Sequence, residues 1–190
     1  LYPNQNEQAV LPLFSALTAL SIYDAITPFN DDQRVEIMIK WPNDVLLNKK
    51  KVAGILLEAV WQESMLLGLV IGVGVNVQSA SLPPNEELMF PATTLEDAFA
   101  KSIDRWQLLH DILRSFMQRR KTFLSFEFMQ DWRKKLAYMG EEITIMENEK
   151  EAHRGTFMGV GKLGQLQLKE KNGSISVFPL GDVSLRPPNP

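Results

Sequence analysis

Between Arg34 and Val77 three β-prone runs follow one another with only short polar breaks between them. Breaks that short leave no room for the long crossover that parallel strands need, so neighbouring runs must pair antiparallel. The first run alternates. Val35, Ile37, Ile39 and Trp41 share one parity, and Arg34, Glu36, Met38 and Lys40 the other. Pro42-Asn43-Asp44 interrupts it, because proline brings no N–H to a ladder. Val45-Leu46-Leu47 is a short apolar piece and Asn48-Lys49-Lys50 a tight turn. Val52 to Val60 forms the second long run. Gln62-Glu63-Ser64 then turns the chain into the third, Met65 to Val77. The expected product is an antiparallel meander.

Helical patterns flank it. Pro12 stands at a helix start, with Leu13, Phe14, Leu17 and Leu20 on one face, predicting a helix to about Ile26. Residues 1–10 read as a loop or the tail of a strand, 27–33 as a loop, and 78–92, with Pro83, Pro84 and Pro91, as a longer one. Thr94 followed by Asp97 resembles a capping box and predicts a short helix to about Lys101. Asp104 with Gln107 predicts a second, running to about Leu124 and marked by Trp106, Leu109, Leu113, Phe116 and Met117. A third covers about Glu127 to Tyr138, with Gly140 placed to end it.

Beyond Gly140 the character changes. Glu142–Met146, Ala152–Val160, Leu166–Leu168, Ser174–Pro179 and Val183–Arg186 are short β-prone pieces, and Asn172-Gly173 is a hairpin signal. Such a series suggests a small SH3-like barrel. The fold class expected is therefore α+β, with a domain at 1–140 and a small β domain at 141–190.

Composition narrows the function. The chain is 45% hydrophobic and 23% charged with a formal net charge of −3, which suggests neither a nucleic-acid surface nor an electrostatic membrane anchor. The longest apolar stretch, Met65 to Val77, is broken by Gly68, Gly72 and Gly74 and is too short to span a bilayer. There is no cysteine, so disulfides and thiolate metal sites are excluded, which is compatible with a cytoplasmic location. His110 and His153 lack ligand spacing, so no protein metal site is expected. The sequence begins at Leu1 rather than Met and carries no leader pattern, so we expect it to be part of a longer polypeptide.

Three short motifs carry candidate chemistry. On a strand, Gly72, Gly74 and Asn76 share one face while Ile71, Val73, Val75 and Val77 share the other. Glycine inside a strand marks close approach of a partner to the backbone, and an asparagine offers both a donor and an acceptor to a base or sugar. Taken alone, such glycines equally serve strand curvature. Lys51 beside a turn, with Gly54 three residues on, could aim a compact positive charge across the sheet at a phosphate. A Lys49-Lys50-Lys51 run is also an ordinary solvated turn. In Lys40-Trp41-Pro42-Asn43-Asp44, Trp41 has the parity of the core, and Asn43-Asp44 is a turn former that could also orient a ribose, a lysine or a hydrated cation.

In this order and spacing, Lys40-Trp41-Pro42-Asn43-Asp44, then Lys51-x-x-Gly54-Ile55-x-x-Glu58, then Gly72-x-Gly74-Val75-Asn76 closely resembles the biotin–protein ligases. The resemblance continues through Trp132 and the ending Gly181-Asp182-Val183-Ser184-Leu185-Arg186, and covers essentially the whole chain. It implies an α+β catalytic domain related to class II aminoacyl-tRNA synthetases, followed by an SH3-like domain. It implies the activity of an ATP-dependent, AMP-forming biotin–[acetyl-CoA carboxylase] ligase. Biotin carboxylate attacks the α-phosphate of ATP with Mg²⁺ assisting, and a lysine of a biotin carboxyl carrier domain then displaces AMP. By the same resemblance Lys51 is catalytic, Gly54 and Ile55 line the biotin side, and Asn76 meets the nucleotide. Asn43 and Asp44 hold the adenylate side or order Lys51, Lys40 and Trp41 belong to the same site, and Gly72 and Gly74 keep its floor open.

One family feature does not occur in these 190 residues: the Gly-Arg-Gly-Arg-x-x-Arg loop and the Ser/Thr-Asn segment before it. Without those arginines we expect the isolated chain to be weak or inactive. A non-catalytic scaffold and a lipoate-type ligase are the alternatives. A homodimer through exposed edge strands is a further expectation.

Overall fold

In a computed structural model, residues 1–82, 90–147, 150–180 and 184–186 are described. A four-stranded antiparallel sheet runs in the order β1-β2-β3-β4, from β1 (Ile37–Lys40), β2 (Asp44–Leu47), β3 (Lys50–Gln62) and β4 (Met65–Val75). It is an antiparallel meander as expected, but of four strands rather than three, because Asp44–Leu47 pairs with a neighbour on each side. Asn48 and Lys49 link β2 to β3 with positive φ of 47° and 63°, the backbone of a two-residue type I′ hairpin turn. The first strand is shorter than its alternation suggests, because residues 34–36 lie outside the ladder.

The helices are α1 (Gln5–Gln8), α2 (Leu13–Ile26), α3 (Leu95–Phe99), α4 (Arg105–Arg120) and α5 (Phe126–Lys134). α1 corrects the reading of residues 1–10 as loop or strand: Asn4 and Glu7 form a reciprocal capping box. The side chains of α2 are buried on almost every side, so it is a central helix rather than an amphipathic one. Its polar residues are buried without leaving orphaned groups. Thr18 and Ser21 donate to the carbonyls one turn back, and Ser15 donates to the Pro42 carbonyl. Thr94 and Asp104 cap α3 and α4 as their spacing predicts.

α4 corrects its sequence reading. Leu108, Ile112 and Phe116 face the core, whereas Trp106, Leu109, Leu113 and Met117 are exposed. Two apolar stripes share this helix, and periodicity cannot say which is covered. α5 ends at Lys134, earlier than expected, and Gly140 instead takes φ +78° in the turn leading to β5.

The second sheet is five-stranded and antiparallel, in the order β8-β7-β6-β5-β9, from β5 (Glu142–Glu147), β6 (Lys150–Val160), β7 (Leu166–Glu170), β8 (Ile175–Phe178) and β9 (Ser184–Arg186). Asn172-Gly173 turns β7 into β8 as expected, with Gly173 at φ +88°. Pro83, Pro84, Gly181, Asp182 and Val183 lie outside the described residues. The two sheets join through shared core: Ile143, Ile145, Phe157 and Leu168 belong to the same buried cluster as Leu17, Trp41 and Trp132.

Candidate active site

The strand register sets the site. Lys40 pairs with Asp44, Asp44 with Gly54, and Gly54 with Gly74. Directly opposed residues of antiparallel strands project on the same face, so these four positions form one row across the sheet. Leu56 and Gly72 form the next row on that face. A bulge of β3 against Val45 and Leu46 then brings Lys51 onto the Gly54 side. A methyl group at Gly54 would lie 3.0 Å from Lys51 Nζ and 3.5 Å from Asp44 Oδ1.

Asp44 is the centre of the charges. Lys40 Nζ donates to its Oδ2 at 2.9 Å, and both residues are about 95% buried. Lys51 Nζ stands 2.5 Å from Oδ1, a charge contact rather than a directed hydrogen bond, with the lysine side chain 38% exposed. One carboxylate thus serves two ammonium groups, leaving the cluster net positive. Burial holds the Lys40 pKa below the ordinary lysine value. Asp44 opposes that shift, and the positive charges of Lys51 and Arg186 add to it. The Lys40 ammonium also lies 4.7 Å from the ring centre of Phe90. The Lys51 backbone is clamped from the side: its N–H donates to the Pro91 carbonyl and its carbonyl accepts from Thr93.

Most expected site residues meet here, and three are placed differently from the expectation. Ile55 has the opposite parity to Gly54 and is buried, beside a cleft of about 470 Å³ that Asn43, Leu56, Leu57 and Leu180 also line. Leu56, 61% exposed, stands beside Gly72 on the Gly54 side of the sheet, as strand parity from Gly54 requires. Trp41 is fully buried, and its indole N–H donates to the Gly164 carbonyl in the second sheet, so its ring has no exposed surface to offer a ligand. The Asn43 amide donates to the Ile55 carbonyl and fixes the β2–β3 junction instead of pointing at the open face. Asn76 follows β4. Its N–H donates to Val52, its carbonyl accepts from Leu95, and its side-chain amide donates to Thr93. Gly74 leaves open space, a methyl group there meeting nothing within 4 Å, whereas at Gly72 one would touch Leu56 at 3.6 Å.

An antiparallel sheet with an open glycine floor and a lysine–aspartate–lysine cluster at its edge is an arrangement chemically able to hold a small anionic group on the sheet face. A model of the Biotin/lipoate A/B protein ligase family matches residues 3–76. The chain is 30% identical over 176 residues to the Biotin–[acetyl-CoA-carboxylase] ligase of Paracoccus denitrificans, covering 89% of this chain and 71% of that protein. It is also 30% identical over 167 residues to the Bifunctional ligase/repressor BirA of Bacillus spizizenii, covering 85% of this chain and 50% of that one. A solved structure of Biotin protein ligase from Aquifex aeolicus, in complex with biotin and ATP, superposes with a TM-score of 0.78 at 29% identity, covering 97% of this chain and 75% of its own. The chain belongs to the biotin–protein ligase family. It spans about half the length of the BirA relatives it matches.

Proposed function

We propose that this chain supplies the nucleotide-side half of an ATP-dependent biotin–[acetyl-CoA carboxylase] ligase, which forms biotinyl-5′-AMP and passes biotin to a lysine of a biotin carboxyl carrier domain. The observation that carries this reading is the row Lys40, Asp44, Gly54 and Gly74, with Lys51 folded over its glycine. In the first step a biotin carboxylate oxygen bonds to the α-phosphorus and the bond to pyrophosphate breaks. In the second, the carrier amine bonds to the acyl carbon, loses a proton, and AMP leaves.

Both transition states spread negative charge over carboxyl and phosphoryl oxygens. Lys51 is the partly exposed cation of the cluster, so it is the one able to swing onto those oxygens. Asp44 holds it aimed until a ligand arrives, and Lys40 remains behind as a buried counter-charge. Leu56 and the open backbone of Gly72 and Gly74 suit the apolar part of biotin, and Asn76 stands at the nucleotide end. ATP and biotin fit this donor set. Among the described residues no group of three or more His, Asp or Glu converges, and a Mg²⁺ carried by its nucleotide needs none. Any Mg²⁺ would arrive on the phosphates of ATP.

The second sheet is read as an SH3-like module beginning near Glu141, and the outer edge of β4 as the place where a homodimer would form. Among the described residues no helix is long and apolar enough to cross a membrane.

Calorimetric titration with a non-hydrolysable biotinyl-adenylate analogue, beside a Lys51→Ala control, tests the reading. Binding that weakens in the control supports it. A folded chain that fails to bind, even with a Gly-Arg-Gly-Arg-x-x-Arg segment supplied, moves the assignment to a scaffold without ligase activity.

A further inference from the structure

The Lys40–Asp44 pair stands on a strand whose far side belongs to the second sheet. Trp41 follows Lys40 directly and projects to the opposite face. Its Nε1–H donates to the carbonyl of Gly164 at 2.9 Å, across 123 residues of sequence, in a fully buried setting. Gly164 lies in the turn between β6 and β7 at φ +78°, held by its own N–H to Gly161. There is no room to replace it. A methyl group there would come within 2.5 Å of Leu180, 2.6 Å of Leu13 and 3.2 Å of Trp132. The turn is therefore wedged where α2, α5 and the second sheet meet.

A second tie holds the same strand. Ile39, just before Lys40, donates to the Lys135 carbonyl at 2.7 Å and accepts from Ala137 at 2.9 Å, in the segment that leads into β5. From there Gly140 donates to Phe157 and Phe157 to Glu141. Lys40 is thus bracketed on both sides by residues bonded to the second sheet or to its approach. A buried hydrogen bond with no solvent alternative fixes the position of its donor far more tightly than apolar packing does.

We infer that Gly164 is a positioning residue for the Lys40–Asp44–Lys51 cluster, acting through the Trp41 indole, so that the second sheet sets the geometry of the charges on the first. The inference rests on the cluster being the ligand site proposed above. Loosening Trp41 would let Lys40 tilt off Asp44, and the aim of Lys51, which depends on the same carboxylate, would go with it.

The test uses the full chain with Trp41→Phe, which keeps a buried ring and removes the N–H, and Gly164→Ala, which strains the turn from the other side. Ile175→Ser, on the exposed face of β8, is the control. Two readouts are followed: lysine side-chain NMR titration of Lys40 without ligand, and affinity for the non-hydrolysable biotinyl-adenylate analogue. Among the described residues the charged groups acting on Lys40 are Asp44, Lys51 and Arg186, and none of them is altered.

The expected result is that, in whichever of the two variants remains folded by circular dichroism, the Lys40 midpoint falls further below the ordinary lysine value, because the Asp44 contact that raises it is weakened. Analogue affinity should fall by roughly ten- to a hundred-fold, while Ile175→Ser changes neither. A variant that only melts at lower temperature, with the Lys40 titration and the affinity unchanged, overturns the inference and leaves the bond a purely structural one. Unfolding of both variants overturns it too, since the bond is then a requirement for the fold as a whole. If the wild-type chain binds no analogue even with a Gly-Arg-Gly-Arg-x-x-Arg segment supplied, yet the Lys40 midpoint still moves, the ligase reading fails and the positioning role stands.

Discussion

Lys51 reaches its place over the sheet because Gly54 has no side chain. A methyl group at Gly54 would stand 3.0 Å from both Cε and Nζ of Lys51, tighter than nearly all side-chain contacts, so the lysine would have to give way. The motif spacing Lys-x-x-Gly is therefore a packing relation. The glycine makes the channel through which the lysine crosses its own strand to reach Asp44.

Gly54→Ala should consequently leave the fold intact, because the atoms it crowds are the far end of a flexible side chain. Thermal stability should change by less than about 1 kcal/mol. Affinity for the biotinyl-adenylate analogue should fall about as far as in Lys51→Ala. If Gly54→Ala binds normally, the side chain of Lys51 does not use this path when ligand is present.

At Gly74 the two readouts should separate. A β-carbon meets nothing within 4 Å there, and glycine inside a strand weakens it. Gly74→Ala should keep or raise stability, by up to about 1 kcal/mol. Binding should weaken nonetheless, since the methyl group would stand on the ligand floor. Unfolding melts and calorimetry on one preparation check both halves.

Lys51→Ala should slow adenylation by about a hundred- to a thousand-fold, the usual cost of removing one group that stabilises transition-state charge. ATP affinity should change much less. Measured in a ligase that contains this chain, equal losses in rate and ATP affinity would remove the catalytic role and leave Lys51 as a binding group.

Asp44→Ala should be the most damaging change at the cluster. It strands Lys40, which is buried and has Asp44 as its paired carboxylate, and the loss expected for breaking a buried pair is about 3 kcal/mol or more. Chemical denaturation of the variant against wild type reads this directly. A loss under about 1 kcal/mol would mean that Lys40 finds water or gives up its proton.

Acid sensitivity should trace in part to Glu7. Arg120 grips its carboxyl through Nε and Nη2 at 2.7 Å each and holds its pKa below the ordinary carboxylate value, with the Asn4 N–H adding to the effect and burial opposing it. The folded chain therefore binds this proton less readily than the unfolded one. The resulting stabilisation is complete above about pH 5 and is lost as pH falls through the folded value. Glu7→Gln should cost about 1–3 kcal/mol at pH 7, and the gap to wild type should close toward pH 3. A gap that stays constant with pH would show that the ion pair carries none of it.

The meander, α2, the two capped helix starts, the Asn172-Gly173 hairpin and the candidate triple of motifs were all legible in the sequence. Each depends on local chemistry: a period, a cap, a turn dipeptide or a spacing. Periodicity also gave the face shared by Gly72 and Gly74. It could not choose between the two apolar stripes of α4, nor say that Trp41 would spend its indole on Gly164, because those outcomes depend on which surfaces meet. Lys40 shows the limit most clearly. Parity puts it opposite Trp41, on the side an isolated strand would give to water. Only strand pairing, which sets Asp44 beside it, and the packing of distant groups such as Phe90 on that face make that side a buried charge cluster. The sequence determined which residues carry charge and which strands carry them. The tertiary structure decided which charges lose their water, because desolvation is a property of neighbours distant in the chain.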